Sequence, residues 1–423
     1  MSYAIQNKLG LEQNKLYTED VGIHDWYRFV LSYPPHLVRH YIEKLKINNK
    51  HTVLDPFCGT GTTLVESKKL GIPSIGIEAN PVVEMAARTK INWNIDCDSL
   101  LKHSSLVAKE VKKRLKACGN NLKYLDTERE KLLIKNSISV IPLHKSLVFL
   151  EVLNDLKDAR FNDIEQTAFA KQLVFSYSNL SFSPEVGVRR KKKIDVSVVE
   201  LWLEQIQKMV LDLQSYHSKK RIPAKVYLGD ARAMSHLLSR QSIDFVMTSP
   251  PYPNEPNNTR ITRLEAVLLN FMSVKKDLRK SKEVLLRSNT RNIYKGDDDE
   301  QWIANNKCIV ELADAIEAMR IELGKTSGFE RLYHKVIRNY FGGMARHLKE
   351  LKPILRSGAR LAYVVGDQAS YFRIPVRTGE LLANIATNMG YELVSIDLFR
   401  TRLSTITKEQ LREEIVLLRW QGK

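Results

Sequence analysis

The chain has 423 residues, enough for two or three domains' worth of core. Its Lys and Arg outnumber Asp and Glu by 66 to 48, a net charge of +18. That balance suits a polyanionic partner, although a basic soluble protein with no such partner has the same composition. Four cysteines with no Cys-x-x-Cys pair argue against a metal site and a disulfide framework. No apolar run approaches the ~20 residues of a membrane span, and the first residues lack a signal-peptide core. The expectation is a cytoplasmic chain with reduced thiols and no membrane partner.

Residues 1–22 are polar and read as a loose arm. From 25 to 46 the pattern predicts a loop and an amphipathic helix, with Pro34 and Pro35 at or just before its first turn. A buried strand is then expected over Thr52–Leu54, ending at Asp55. The chain turns tightly through Gly59 and Gly61 into a helix, and Gly71 is a plausible cap for its end. A second strand over Ser74–Ile77 runs into Glu78, and Pro81 opens another helix. The two glycines let backbone approach a ligand, the new helix has free N–H groups at its start, and a carboxylate at Glu78 suits the two hydroxyls of a ribose. Residues 53–80 therefore read as a pocket for a nucleoside-containing cofactor. The turn lacks the third glycine of the dinucleotide fingerprint, and Asp55 would repel a pyrophosphate but suits a sulfonium or an ammonium. S-adenosylmethionine fits better than a nicotinamide dinucleotide.

Residues 96–222 change character, with Leu- and Lys-rich stretches at helical spacing, and read as a helical insertion. It holds the run Arg189, Arg190, Lys191, Lys192, Lys193, which suits phosphate contacts or is simply a solvated loop. The sheet pattern resumes at Val226–Leu228, followed by Asp230, and again over Ile243–Thr248. Near-continuous apolar strands of this kind fit a parallel sheet covered on both faces. Residues 265–340 are again mostly helical. A last sheet segment is expected at Arg360–Val365, then a helix near Thr378–Met389 and a terminal hairpin of about Glu392–Phe399 with Glu414–Trp420.

The strand ending at Thr248 runs into Ser249, Pro250, Pro251 and Tyr252. Two adjacent prolines remove two N–H donors, so the backbone there offers only carbonyls. With a Ser hydroxyl and a flat aromatic ring, the turn reads as a receptor for an exocyclic amino group, or as a plain rigid turn closing a strand.

Together, Asp55-Pro-Phe-Cys-Gly-Thr-Gly61 and Ser249-Pro-Pro-Tyr252 resemble the cofactor and catalytic motifs of the DNA amino-methyltransferases, which methylate cytosine N4 or adenine N6. The resemblance covers residues 25–95, 225–265 and 345–423. It implies a Rossmann-like α/β class I methyltransferase sheet, mostly parallel with a C-terminal antiparallel strand and with helical insertions. The implied layout is an arm (1–22), a cofactor half (23–95), an insertion (96–222), a catalytic strand (223–264), a second insertion (265–340) and C-terminal strands (341–423). Either insertion is a candidate for DNA recognition. Carried over residue by residue, Asp55, Gly59 and Gly61 would cradle the methionine part of S-adenosylmethionine, and Phe57 and Thr62 would also bind the cofactor. Glu78 would hold the ribose, with Asn80 and Asp230 near the adenine. Ser249, Pro250, Pro251 and Tyr252 would hold a base flipped out of double-stranded DNA. Ser at the first catalytic position is more usual in the cytosine-N4 members. Cytosine C5 chemistry needs a Pro-Cys nucleophile, which this chain lacks. Arg260 and Arg263, after the catalytic turn, are candidates for phosphate contacts or for intrahelical ion pairs, with Glu265 as a partner. Arg287, Asn289 and Arg291 have the chemistry to read base edges, or form a connector. The family also implies a nucleoid-associated prokaryotic enzyme, with a cognate restriction or defence-system protein as a candidate partner. An RNA base-amino methyltransferase and a non-catalytic nucleic-acid binder are the competing readings.

Overall fold

The computed structural model describes residues 16–27, 32–182, 186–254, 258–404 and 408–422. Seven strands form one sheet: β1 (Val53–Asp55), β2 (Ser74–Glu78), β3 (Ala224–Leu228), β4 (Ile243–Thr248), β5 (Leu355–Gly366), β6 (Glu392–Leu403) and β7 (Gln410–Arg419). Their spatial order is β3-β2-β1-β4-β5-β7-β6, and only β7 runs against the rest. This is the arrangement that the resemblance implied, with the parallel half that the apolar strands predicted and an antiparallel strand near the C-terminal end. The C-terminal strands do form a hairpin, longer than expected at the turn, with the first strand running on to Leu403 and the second starting at Gln410. Strand β5 also starts earlier, at Leu355. Its pairing with β4 jumps from Ile243↔Leu355 to Phe245↔Arg360, and this irregularity hid the strand's first half from the alternation pattern.

The strand order reverses between β1 and β4. In open parallel sheets a ligand crevice opens outside the carboxyl ends of the strands at such a switch point. Val53 pairs with Phe245 and Leu54 with Val246, so Asp55 and Thr248 leave the sheet side by side at one rim.

Both faces are covered. On one side lie α1 (Pro35–Lys44), α2 (Thr62–Lys69) and α3 (Pro81–Ile91). The insertion adds α4 (Cys97–Cys118), α5 (Val140–Asp155), α6 (Asn162–Gln172) and α7 (Val198–Ser215). The insertion is no detached domain. Phe149, Phe169 and the fully buried Trp202 share one apolar core with Leu64, Val82 and Met85 of α2 and α3. Trp202 also donates its indole N–H to the Glu165 carbonyl at 3.1 Å. A short antiparallel ribbon, Leu180–Phe182 with Val186–Val188, interrupts the helices just before the basic run. On the other face α8 (Lys307–Glu322), α9 (Tyr333–Leu351) and α10 (Thr378–Asn388) pack a second core against the sheet.

Residues 16–22, read as part of a loose arm, are anchored at Asp20, which is buried, while Thr18, Glu19 and Val21 stay exposed. Ile23 beside them is fully buried, and Arg39 bridges Asp20 and Glu66 at 2.7 Å each. Residues 1–15 lie outside the described chain. No helix among the described residues is long and apolar enough to cross a membrane.

Candidate active site

An open cleft of about 960 Å³ lies over the carboxyl ends of β1, β2 and β4, lined by Tyr33, Phe57, Gly59, Glu78, Asp230 and Ser249 among others. Its floor is the turn after β1. Gly59 and Gly61 have φ of +51° and +84°, the left-handed region that side chains disfavour, and this folds the chain straight from strand to helix. Helix α2 starts with no side-chain cap at Gly61. Its first-turn N–H groups therefore gain nothing from a capping hydroxyl or carboxylate. Thr62 lines the cleft at that helix start, whereas Gly61 does not.

Asp55 sits under this floor and does not line the cleft. Its carboxylate is fully buried and accepts from Thr248 Oγ1 at 2.6 Å, Phe57 N at 3.2 Å and Tyr33 OH at 3.0 Å. Thr248 is the last residue of β4, so this carboxylate ties the glycine turn directly to the strand that carries Ser249. Burial pushes its pKa up to about 6, against the pull of these donors.

Glu78 closes the wall. One oxygen accepts from Gly59 N at 3.0 Å and the other from Asn80 N at 2.8 Å. Each carboxylate oxygen has a second lone pair, so acceptor capacity remains on the cleft side. Burial raises Glu78 to about 7, and the neighbouring Asp55 adds to the rise. Asn80 lines the cleft but is engaged elsewhere. Its Oδ1 caps α3 through Val82 N at 3.1 Å, and its Nδ2 donates to Thr262 Oγ1 at 2.9 Å. Asp230 lies in the wall past β3 and is held by Arg232, whose Nε and Nη2 reach its two oxygens at 3.0 and 2.7 Å.

At the catalytic turn, Ser249 and Pro251 line the cleft, while Pro250 and Tyr252 do not. Ser249 Oγ donates to the Val364 carbonyl of β5 at 3.2 Å. A carbonyl only accepts, so that bond commits the hydroxyl hydrogen and leaves the oxygen lone pairs as acceptors. Pro250 is buried, and Ser249, Pro251 and Tyr252 are half-exposed.

Several cleft residues escaped the motifs. Tyr33 carries the bond to Asp55, and Ser32 lies beside it. Val284, Leu285, Leu286, Ser288 and Asn292 close the far side. The first group precedes the Pro34–Pro35 helix start that the sequence marked, and nothing local signalled the second. His347 of α9, fully buried, supports that side. Its Nδ1 lies 3.0 Å from the Ala231 carbonyl and its Nε2 2.8 Å from Tyr363 OH. The carbonyl can only accept, so Nδ1 carries the proton and Nε2 accepts from the tyrosine. Burial drops the pKa to about 4, so the ring is neutral, and it packs edge-on to Phe57.

The cationic residues divide. Arg287 is buried, and its guanidinium is engaged throughout, by Asp297 at 2.7 and 2.9 Å and by the carbonyls of Lys282, Glu283 and Leu285. Buried and bonded through all three nitrogens, it knots its own segment together rather than reaching toward a base edge, which corrects the expectation for this residue. Arg263 is likewise diverted, donating to the Thr259 and Leu132 carbonyls at 2.9 and 3.2 Å. It fastens the helix after the catalytic turn to the insertion rather than to a phosphate. Glu265 pairs with neither arginine; it accepts from Tyr27 OH. Arg260 is half-exposed, and Arg291 is exposed with its guanidinium over the Phe329 ring. Arg189, Arg190 and Lys191 are exposed, whereas Lys192 folds back onto the Arg189 carbonyl.

Residues 8–88 match the model of a family described as DNA methylase. The type II methyltransferase M.BsoBI of Geobacillus stearothermophilus is 23% identical over 440 residues, spanning 94% of this chain and 84% of its own. The type II methyltransferase M.AvaI of Nostoc sp. is 21% identical over 406 residues, spanning 88% and 79%. A shorter stretch of 69 residues is 33% identical to the type II methyltransferase M.MjaII of Methanocaldococcus jannaschii, covering 16% of this chain and 13% of that one. A glycine turn and a Ser-Pro-Pro-Tyr turn joined at one rim of this sheet, the family match over residues 8–88 and two relatives aligned over most of their length support one likeness: the chain is similar to the DNA amino-methyltransferases of the cytosine-N4/adenine-N6 family.

Proposed function

We propose that the protein transfers a methyl group from S-adenosylmethionine to the exocyclic amino group of a base flipped out of double-stranded DNA, with cytosine N4 as the target. The observation that carries this reading is the Asp55–Thr248 bond, which fixes the glycine turn and the catalytic turn at one cleft. The cleft's own chemistry suits the cofactor. Backbone N–H groups at the start of α2 suit a carboxylate, spare acceptor capacity on Glu78 suits a ribose diol, and Glu78 in the wall, with Asp55 beneath the floor, makes the surroundings acidic for a cation. When bound, S-adenosylmethionine supplies an electrophilic methyl group on a sulfonium.

The chain's residues do the rest. Tyr252 offers its ring as a stacking face for the extruded base, offsetting part of the unstacking cost. The Ser249 oxygen, its hydrogen committed to Val364, and the Pro250 carbonyl accept the two amino hydrogens. Held this way, the amino nitrogen turns its lone pair out of ring conjugation and toward the methyl group. Transfer would break the sulfonium's S–CH3 bond as the N–C bond forms, leaving a neutral thioether and a cationic nitrogen. Its surplus proton leaves along one of these hydrogen bonds to water, since neither acceptor is basic enough to keep it. No covalent enzyme adduct is required, in keeping with Cys58 serving as a buried packing residue.

The relatives' name, type II methyltransferase, supports a place as the modification arm of a restriction system, and action on nucleoid DNA in the cytoplasm is part of the same proposal. The test is nucleoside analysis of duplex DNA after incubation with the protein and labelled S-adenosylmethionine. Label in N4-methylcytosine is expected. Label in N6-methyladenine would overturn the choice of base, and label in tRNA but not DNA would overturn the substrate.

A further inference from the structure

The catalytic turn is gripped from behind by a loop that no motif marks. Strand β5 ends at Gly366, where a Cβ would lie 2.6 Å from Cε2 of Tyr252, so the tyrosine ring rests on bare backbone. The chain then loops through 367–377. Tyr371, 3% exposed, donates its hydroxyl to the Pro253 carbonyl. Asn254 Nδ2 reaches Ser370 Oγ at 2.6 Å, and Ser370 N is held by Gln368 Oε1 at 2.6 Å. The base of the loop is pinned by the buried Asp367, which accepts from Arg377 at 2.8 Å, Arg412 at 2.9 Å and Thr378 N at 3.2 Å. Between these anchors Phe372 and Arg373 both have positive φ, a conformation that two adjacent side-chain-bearing residues keep only when their surroundings impose it.

We propose that this loop is a template for the catalytic turn, with Gly366 and Tyr371 as positioning residues that set the plane of Tyr252 and hence of the base stacked on it. The inference rests on the reading of Tyr252 as the stacking residue. The cleft wall at 56–59 and 78–80 belongs to other strands, so disturbing the template should slow transfer while leaving cofactor binding intact. A base displaced by an ångström costs on the order of a hundredfold in rate.

Two variants test this in the full-length protein. Tyr371→Phe removes one hydroxyl, and kcat is expected to fall about tenfold with the KM for S-adenosylmethionine unchanged. An unchanged kcat, or a loss confined to KM, would overturn the proposal. Gly366→Ala should lower Tm in the wild-type background, where the new Cβ meets the ring, and not in a Tyr252→Ala background, where that ring is gone. Equal losses in both would also overturn it. If Tyr252→Ala instead leaves DNA methylation at the wild-type rate, the stacking reading fails, while the thermal coupling still reports on the grip by itself.

Discussion

Asp55 shows how little of a residue's task can be read from its neighbours in sequence. Its position before a glycine turn suggested a carboxylate facing a cationic ligand. Its partners are Tyr33, Phe57 and Thr248, two of them far away in the chain, and they draw it under the cleft floor. Gly59, Gly61, Thr62, Glu78 and Ser249 were legible because their task is local: a turn, a helix start, a strand end. Asp55→Asn retains the shape but turns one acceptor oxygen into a donor facing hydroxyls that must donate. The expected cost is ~1–3 kcal/mol, read from denaturant unfolding, with wild-type stability as the contrary result. The raised pKa values of Asp55, to about 6, and Glu78, to about 7, set a pH dependence. A buried carboxyl with a raised pKa favours the folded protein in its protonated form, and that contribution is lost as pH rises through the folded value. A cation in the cleft favours the ionised form. Calorimetric affinity for S-adenosylmethionine should therefore rise between pH 5 and 8, by up to about tenfold per carboxyl for each unit below its pKa. A flat profile would show that neither carboxyl is coupled to the ligand.

At the level of elements, the informative one is the segment from Glu283 to Ile303. Sequence spacing placed it in an insertion and offered its arginines to DNA. In the fold it is a wall of the cleft, held by the buried Arg232, which bridges Asp230 and Asp299 and reaches the Glu283 carbonyl at 3.2 Å. Arg346 reaches Asp299 from α9 at 3.3 Å. Pairings over such separations leave no trace in local composition, so Arg287 and Arg232 could not be told from surface cations. Arg232→Met leaves Asp299 buried without its main partner, at an expected cost of ~3–5 kcal/mol by thermal or chemical unfolding. A loss under ~1 kcal/mol would mean that the wall is held by other contacts. Strand β2 makes a second case. A Cβ on Gly76 would lie 2.8 Å from Cys58 Sγ and 2.9 Å from Leu64 Cδ2, so this strand glycine exists to let the glycine turn and α2 lie close. Gly76→Ala should cost ~1–3 kcal/mol and weaken cofactor binding, whereas stabilisation would contradict that packing argument.

Over the whole molecule, the sheet class followed from apolar strands alternating with helices, and the rule for ligand crevices followed from the strand order. The layer covering it did not, because the first insertion joins the core of α2 and α3 through Trp202 and Phe169 rather than forming a body of its own. The net charge of +18 belongs at this scale too. With Arg263 and Arg287 committed internally, the exposed Arg189, Arg190 and Lys191 are the part of the basic run best placed to meet phosphates. Replacing all three by alanine should weaken DNA binding irrespective of sequence and reduce the salt slope of log K by roughly two to three. An unchanged slope would assign that run to solvent.

The proposed chemistry needs one rim to present a methyl donor and a flipped base to each other. The most direct measurement pairs S-adenosylmethionine binding by calorimetry with methyl transfer to duplex DNA, for wild type and Ser249→Ala. The prediction is unchanged cofactor affinity with transfer reduced at least a hundredfold, on the order expected for losing one group that acts in the transition state. Transfer at the wild-type rate by Ser249→Ala would contradict it.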